Sequence, residues 1–140
     1  MEFKVVVSDP QSGKSYQREV KDDKAPRLVN LKVGDEFDGG LVGLPGYGLK
    51  ITGGSDKAGF PMKKGIQGFK RAMVMMTEGV GYNPVEAVRR RKRVRGEMVA
   101  EDIVQINTLI AKRGPKAVEE LFPPAAKAEG APADEKKEAK

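Results

Sequence analysis

The chain has 140 residues, with 26 Lys and Arg against 20 Asp and Glu, a formal net charge of +6. It contains neither His nor Cys, which excludes imidazole bases, thiol nucleophiles, disulfides and thiolate metal sites. With 17 Gly, 9 Pro and 39% hydrophobic residues, it has the makings of one small, turn-rich domain around a modest core.

Phe3 to Ser8 is rich in β-branched residues and predicts a strand. Asp9-Pro10-Gln11-Ser12-Gly13 predicts a turn, and Lys14 to Val20 a second strand, which together make a hairpin. Lys21 to Arg27 reads as a loop, and Val33 to Phe37 as a short turn and strand. Glycines at 39, 40, 43, 46 and 48 exclude a long helix from the next stretch. Leu49 to Thr52 predicts a strand that ends at the corner Gly53-Gly54, where a positive φ is expected. Phe69 to Thr77 reads as a buried strand. Val94 to Val99 and Ile103 to Ala111 read as a hairpin, with Val104, Ile106 and Ile110 on one face. Gly114-Pro115 opens a helix near 115–122, and Pro123-Pro124 stops it. The tail 125–140 holds only Ala, Lys, Glu, Pro, Gly and Asp, so disorder is expected there. Short strands, Gly turns and one late helix point to an all-β fold over residues 1–124. The expected form is a small closed or partly open β-barrel of about six strands.

The charge is not spread evenly. Residues 50–100 carry twelve Lys and Arg against four acids, whereas the segments on either side are each close to neutral. Arg89-Arg90-Arg91-Lys92-Arg93 is an unbroken cationic run, followed by Val94 and Arg95. Such crowding repels itself, so the segment is expected to be mobile when free and ordered by a polyanion. Phosphate backbone is the leading candidate. A solvated basic loop and a targeting signal are the plainer readings.

Other chemistry finds little support. Gly43 to Gly48 and Gly53 to Gly59 lack both the P-loop and the dinucleotide spacing, and neither leads into a helix. The adjacent acids Asp22-Asp23, Asp35-Glu36 and Glu119-Glu120 point apart on any regular element and read as surface. The eight aromatics are scattered, so no base-stacking cluster is evident. A nucleic acid would then be read by backbone and shape. No segment is apolar enough for a transmembrane helix, and Met1 to Val5 lacks a signal-peptide layout.

Ile51-Thr52-Gly53-Gly54-Ser55-Asp56-Lys57-Ala58-Gly59-Phe60-Pro61-Met62 closely resembles the signature of the eukaryotic and archaeal small-subunit ribosomal protein S-six family. Lys63-Lys64-Gly65, the stretch Arg90 to Gly96 and Ile103 to Gly114 extend the resemblance, from about Glu2 to Phe122. It implies a non-enzymatic β-barrel in cytoplasmic ribosomes, with ribosomal RNA and neighbouring ribosomal proteins as partners. No membrane, metal, cofactor or small-molecule substrate is implied. The expected RNA contacts are Lys57, Lys63, Lys64, Lys70, Arg71, Arg89, Arg90, Arg91, Lys92, Arg93 and Arg95. Gly53, Gly54, Asp56, Gly59, Pro61 and Met62 are expected to shape a structural loop, and direct RNA contact is the equal alternative at Gly53-Gly54 and Pro61-Met62. The chain resembles the short archaeal form. Eukaryotic members continue as a long basic helix that bears regulatory phosphoserines, whereas residues 123–140 here contain no Ser, Thr or Tyr. A free-standing basic barrel of the RNA-chaperone type is the alternative, and an enzyme acting on a polyanion comes third.

Overall fold

The computed structural model describes residues 1–21, 23–86 and 88–121. Strand β1 (Glu2–Ser8) pairs antiparallel with β2 (Ser15–Lys21), as the hairpin pattern predicts. Asp9 organises the turn between them: its carboxylate accepts from the Gln11 amide and the Ser12 hydroxyl, each at 3.0 Å. Gly13 supplies the positive φ (70°) that closes it. The other edge of β1 pairs in parallel with β7 (Ile103–Lys112). Strand β7 pairs antiparallel with β4 (Gly48–Asp56), and β4 with the short β3 (Glu36–Asp38). The result is a five-stranded sheet in the order β2-β1-β7-β4-β3.

Alternation builds the core. Phe3, Val5 and Val7 of β1 are fully buried, together with Leu49 and Ile51 of β4 and Ile106 of β7. Thr108 lies in the same buried row, and its hydroxyl donates to the Val6 carbonyl at 3.0 Å, so no polar group is stranded there. Leu28, Val42, Leu44 and Tyr47, from the connecting segments, cover the remaining apolar surface. Irregular register in β4 at Gly48/Leu49, Ile51/Gly53 and Ser55/Asp56 bends the strand. The sheet curls so far that the 3-10 turn Gly39–Val42 touches β2, while β2 and β3 stay unpaired with each other. The all-β expectation therefore holds, in the partly open form.

A second sheet stands apart. Strands β5 (Arg71–Met76) and β6 (Arg90–Arg95) form an antiparallel two-stranded ribbon. It is tied to the main sheet through residues 54–63. Met62 donates to the Gly54 carbonyl, Arg95 to the Pro61 carbonyl and Lys63 to the Arg95 carbonyl, at 2.8, 2.8 and 3.0 Å.

Four sequence expectations change. Strand β4 does not end at Gly53-Gly54 but runs through to Asp56, and neither glycine has a positive φ. Gly54 is required for another reason. A Cβ there would lie 2.5 Å from the Gln105 carbonyl oxygen of β7, whereas Gly53 faces open space. Strand β5 exists but is not a buried run: Met73 and Met75 are 54% and 57% exposed, because the ribbon has only two strands and one covered face. The hairpin drawn from Val94–Val99 and Ile103–Ala111 is absent. The cationic run from Arg90 on is part of strand β6 and pairs with β5, while Glu97 to Val99 bond back to residues 30–33. Gly96 permits this turn of the chain, since a Cβ there would meet the Gly68 carbonyl oxygen at 2.0 Å. Lastly, helix α1 covers only Val118–Leu121. Phe122 and the tail 125–140 lie outside the described residues. Among the described residues no helix is long and apolar enough to cross a membrane.

Candidate nucleic-acid interface

The ribbon owes its placement to Asp56, at the end of β4. Its side chain is fully buried. One oxygen accepts from the amides of Ala58 (3.0 Å) and Phe60 (2.9 Å), which folds the loop after β4 back on itself. Gly59, with φ 88°, completes the loop. The other oxygen receives Arg71 Nε at 2.8 Å and Arg95 Nη1 at 3.5 Å. Arg71 and Arg95 are direct cross-strand partners in β5 and β6. Like charges in that position repel, and the buried carboxylate between them turns the repulsion into a clamp. Asp102 receives Arg95 Nη2 at 3.3 Å and shares its charge. Burial pushes the Asp56 carboxyl up. The Arg71 guanidinium and the Phe60 and Ala58 amides outweigh it and hold the group below the ordinary carboxylate value.

Strand alternation then sorts the cations. Opposite pairs are Arg71 with Arg95, Met73 with Arg93 and Met75 with Arg91, all on one face. Ala72 with Val94, Val74 with Lys92 and Met76 with Arg90 share the other. That second face packs inward: Val94 and Met76 are buried, and the Lys92 ammonium lies 5.4 Å from the centre of the Tyr82 ring. Tyr82 in turn donates to the Val88 carbonyl at 2.6 Å. The Arg71 guanidinium lies 4.9 Å from the Phe60 ring centre, a second cation–π contact.

The residues singled out in the sequence therefore divide. Arg89, Arg90, Arg91 and Arg93 are exposed on or beside the ribbon, and Lys70 is exposed just before β5. Lys57 and Lys64 are exposed in the connecting loops, and Lys63 is half-buried beside the end of β6. Arg71 is 39% exposed and engaged with Asp56. Arg95 stands apart: its side chain is 5% exposed and faces Asp56 and Asp102 from inside the protein. Of the structural loop, Met62 is buried, and Ser55 bridges to Pro61. Sequence reasoning missed Asp102, Tyr82 and Phe60 as partners of the cations, since no local spacing links them. It also missed the exposure of Met73 and Met75. Among the described residues no cluster of three acidic side chains is placed to hold a metal. The arrangement provides a dense, positively charged surface.

Comparison with known proteins identifies the family. Residues 3–123 match the sequence model for ribosomal protein S6e. The chain is 52% identical over 123 residues to the small ribosomal subunit protein eS6 of Methanothermobacter thermautotrophicus, covering 87% of this chain and 96% of that one. It is 52% identical to the eS6 of Methanobrevibacter smithii (87% and 93%) and 46% identical to that of Archaeoglobus fulgidus (87% and 96%). With that match over nearly all of the described residues, the chain belongs to the ribosomal protein S6e family.

Proposed function

We propose that this chain is a structural component of the small ribosomal subunit that binds ribosomal RNA through backbone phosphates at the β5–β6 ribbon. The observation that carries the reading is strand β6, where Arg90, Arg91 and Arg93 are all exposed in a regular strand. Guanidinium forks in that setting match phosphate oxygens and lose little freedom on binding. Lys57, Lys64, Lys70 and Arg89 widen the cationic field, and Lys63 and Lys92 contribute to it from half-buried positions. Arg71 and Arg95 serve chiefly to hold the ribbon through Asp56. Family membership supports the structural ribosomal role, in cytoplasmic ribosomes and without enzymatic activity. Neighbouring ribosomal proteins are the second class of contact.

The test is the triple change Arg90→Gln, Arg91→Gln and Arg93→Gln, titrated against deproteinised small-subunit ribosomal RNA. Each lost phosphate contact flattens the plot of log K against log salt by about 0.7–0.9, so the slope should fall by about two to three units. The melting temperature of the free protein should hold or rise, since self-repulsion is relieved. An unchanged affinity and slope would overturn the assignment and move it to Lys57, Lys63, Lys64 and Lys70. Sedimentation of extract tests the ribosomal role separately: the protein should travel with small subunits, whereas a free RNA chaperone would not.

A further inference from the structure

Seven large hydrophobic side chains are notably exposed among the described residues, and six of them fall between residues 69 and 88. Two occupy the outward face of the ribbon. Met73 is directly opposite Arg93, and Met75 directly opposite Arg91. The same chain buries Met62 and Met76 almost completely, so it has room for methionine in its interior. Met73 and Met75 are held outward by the register that buries Val94 and Met76 on the other face.

The chemistry of this face is specific. Met and Arg are both at home in protein interfaces, but neither strand of the ribbon carries an acidic residue, and Arg90, Arg91 and Arg93 stand exposed beside the methionines, which calls for an anionic partner. A polyanion that also offers apolar surface fits better, and RNA does so through its riboses and base edges. The exposed patch formed by Met73, Met75, Arg91 and Arg93 contains no aromatic residue, so it lacks a platform of its own for stacking splayed single-strand bases. A-form RNA presents a wide, shallow minor groove that a two-stranded ribbon can approach. Unbranched methionine adapts to such an irregular surface.

We propose that Met73 and Met75 pack on the ribose and base-edge surface of a ribosomal RNA minor groove, while Arg91 and Arg93 hold the flanking phosphates. This rests on the RNA-binding reading above and adds to it a component independent of salt. The test compares Met73→Thr/Met75→Thr with wild type on small-subunit ribosomal RNA and on inorganic polyphosphate, which has charge but no ribose or base. Threonine keeps strand propensity at these exposed positions. RNA affinity should fall about tenfold at every salt concentration, with the slope unchanged. Affinity for polyphosphate should stay at the wild-type level, and Met73→Leu/Met75→Leu should bind RNA like wild type. Wild-type RNA affinity in the threonine pair, alongside a flattened slope in the arginine triple, would overturn the proposal and assign the methionines to a protein neighbour. Equal losses on RNA and polyphosphate would also overturn it, since the substitution would then be disturbing the ribbon itself. If the arginine triple leaves the slope intact, it is the RNA reading that fails.

Discussion

The five-stranded sheet and the two-stranded ribbon are held together by different physics. The sheet buries a continuous row of side chains, from Phe3, Val5 and Val7 across Ile106 and Thr108 to Leu49 and Ile51. The ribbon buries Met76 and Val94, together with the charged pair Asp56 and Arg95. A two-stranded hairpin alone is marginal in water, so the ribbon depends on its clamp and on the main-chain bonds at residues 61–63. An apolar sheet thus gives stability, and a polar clamp holds out a cationic strand that an apolar core could not accommodate.

The comparison breaks most sharply at Asp56. Changing Asp56→Asn leaves Arg71 and Arg95 facing each other without the carboxylate between them, and only Asp102 remains as a counter-charge to Arg95. The cost should be about 3 kcal/mol, at the low end of the range for a broken buried pair because Arg71 is 39% exposed. Amide exchange should show Arg71–Met76 and Arg90–Arg95 losing protection while β1 and β7 keep theirs. Equal loss in both regions would mean that sheet and ribbon are one cooperative unit.

Gly54→Val tests the sheet side of the junction. The new side chain would meet the Gln105 carbonyl at 2.5 Å and Met62 Sδ at 3.0 Å from its first carbon alone. Overpacking of this kind costs about 2 kcal/mol in a denaturant melt. Gly53→Ala, which meets nothing within 4 Å, should stay within about 0.5 kcal/mol. Similar costs at the two glycines would show that strand geometry, and not close approach, sets the requirement.

Acid gives a smaller and more graded effect. The Asp56 carboxyl titrates below its ordinary value of 3.8 in the folded protein, so its contribution is complete above that pH. It is lost as pH falls below 3.8 through the lower folded value. The melting temperature should therefore be insensitive to this group from neutral pH down to about 4 and should fall below that. Asp9, held low by the Gln11 amide, the Ser12 hydroxyl and Arg113 against the effect of burial, adds a second loss in the β1–β2 turn. In the Asp56→Asn protein the Asp56 part of the acid dependence should be gone while the Asp9 part remains, and an unchanged profile would show that Asp56 does not contribute.

The first hairpin was legible in the chain because its signals are local: β-branched alternation from Phe3 to Ser8 and a turn with Asp, Pro, Ser and Gly. The cationic run was equally legible, and so was its attraction for a polyanion. Its conformation was not. Five adjacent cations look like a repelling loop when only neighbours in sequence are counted. Four of them, Arg90 to Arg93, lie in a strand because β5 supplies alternate apolar partners and Asp56, fifteen residues before Arg71, supplies the counter-charge. Met73 to Met76 looked buried for the same reason, since an apolar run carries no mark of how many strands will cover it.

Composition and local pattern by themselves determined the all-β class, the absence of His and Cys chemistry, and the concentration of charge in the middle third of the chain. Those properties belong to residues and near neighbours, and no folding partner alters them. Tertiary structure decided the pairing of β7 with β1 and β4, the closeness of Gly54 to Gln105, and the separation of Arg95 from the exposed arginines. Each of these depends on atoms tens of residues apart in sequence. Whether a guanidinium faces a carboxylate or the solvent is fixed by the register of strands that meet only in the folded chain.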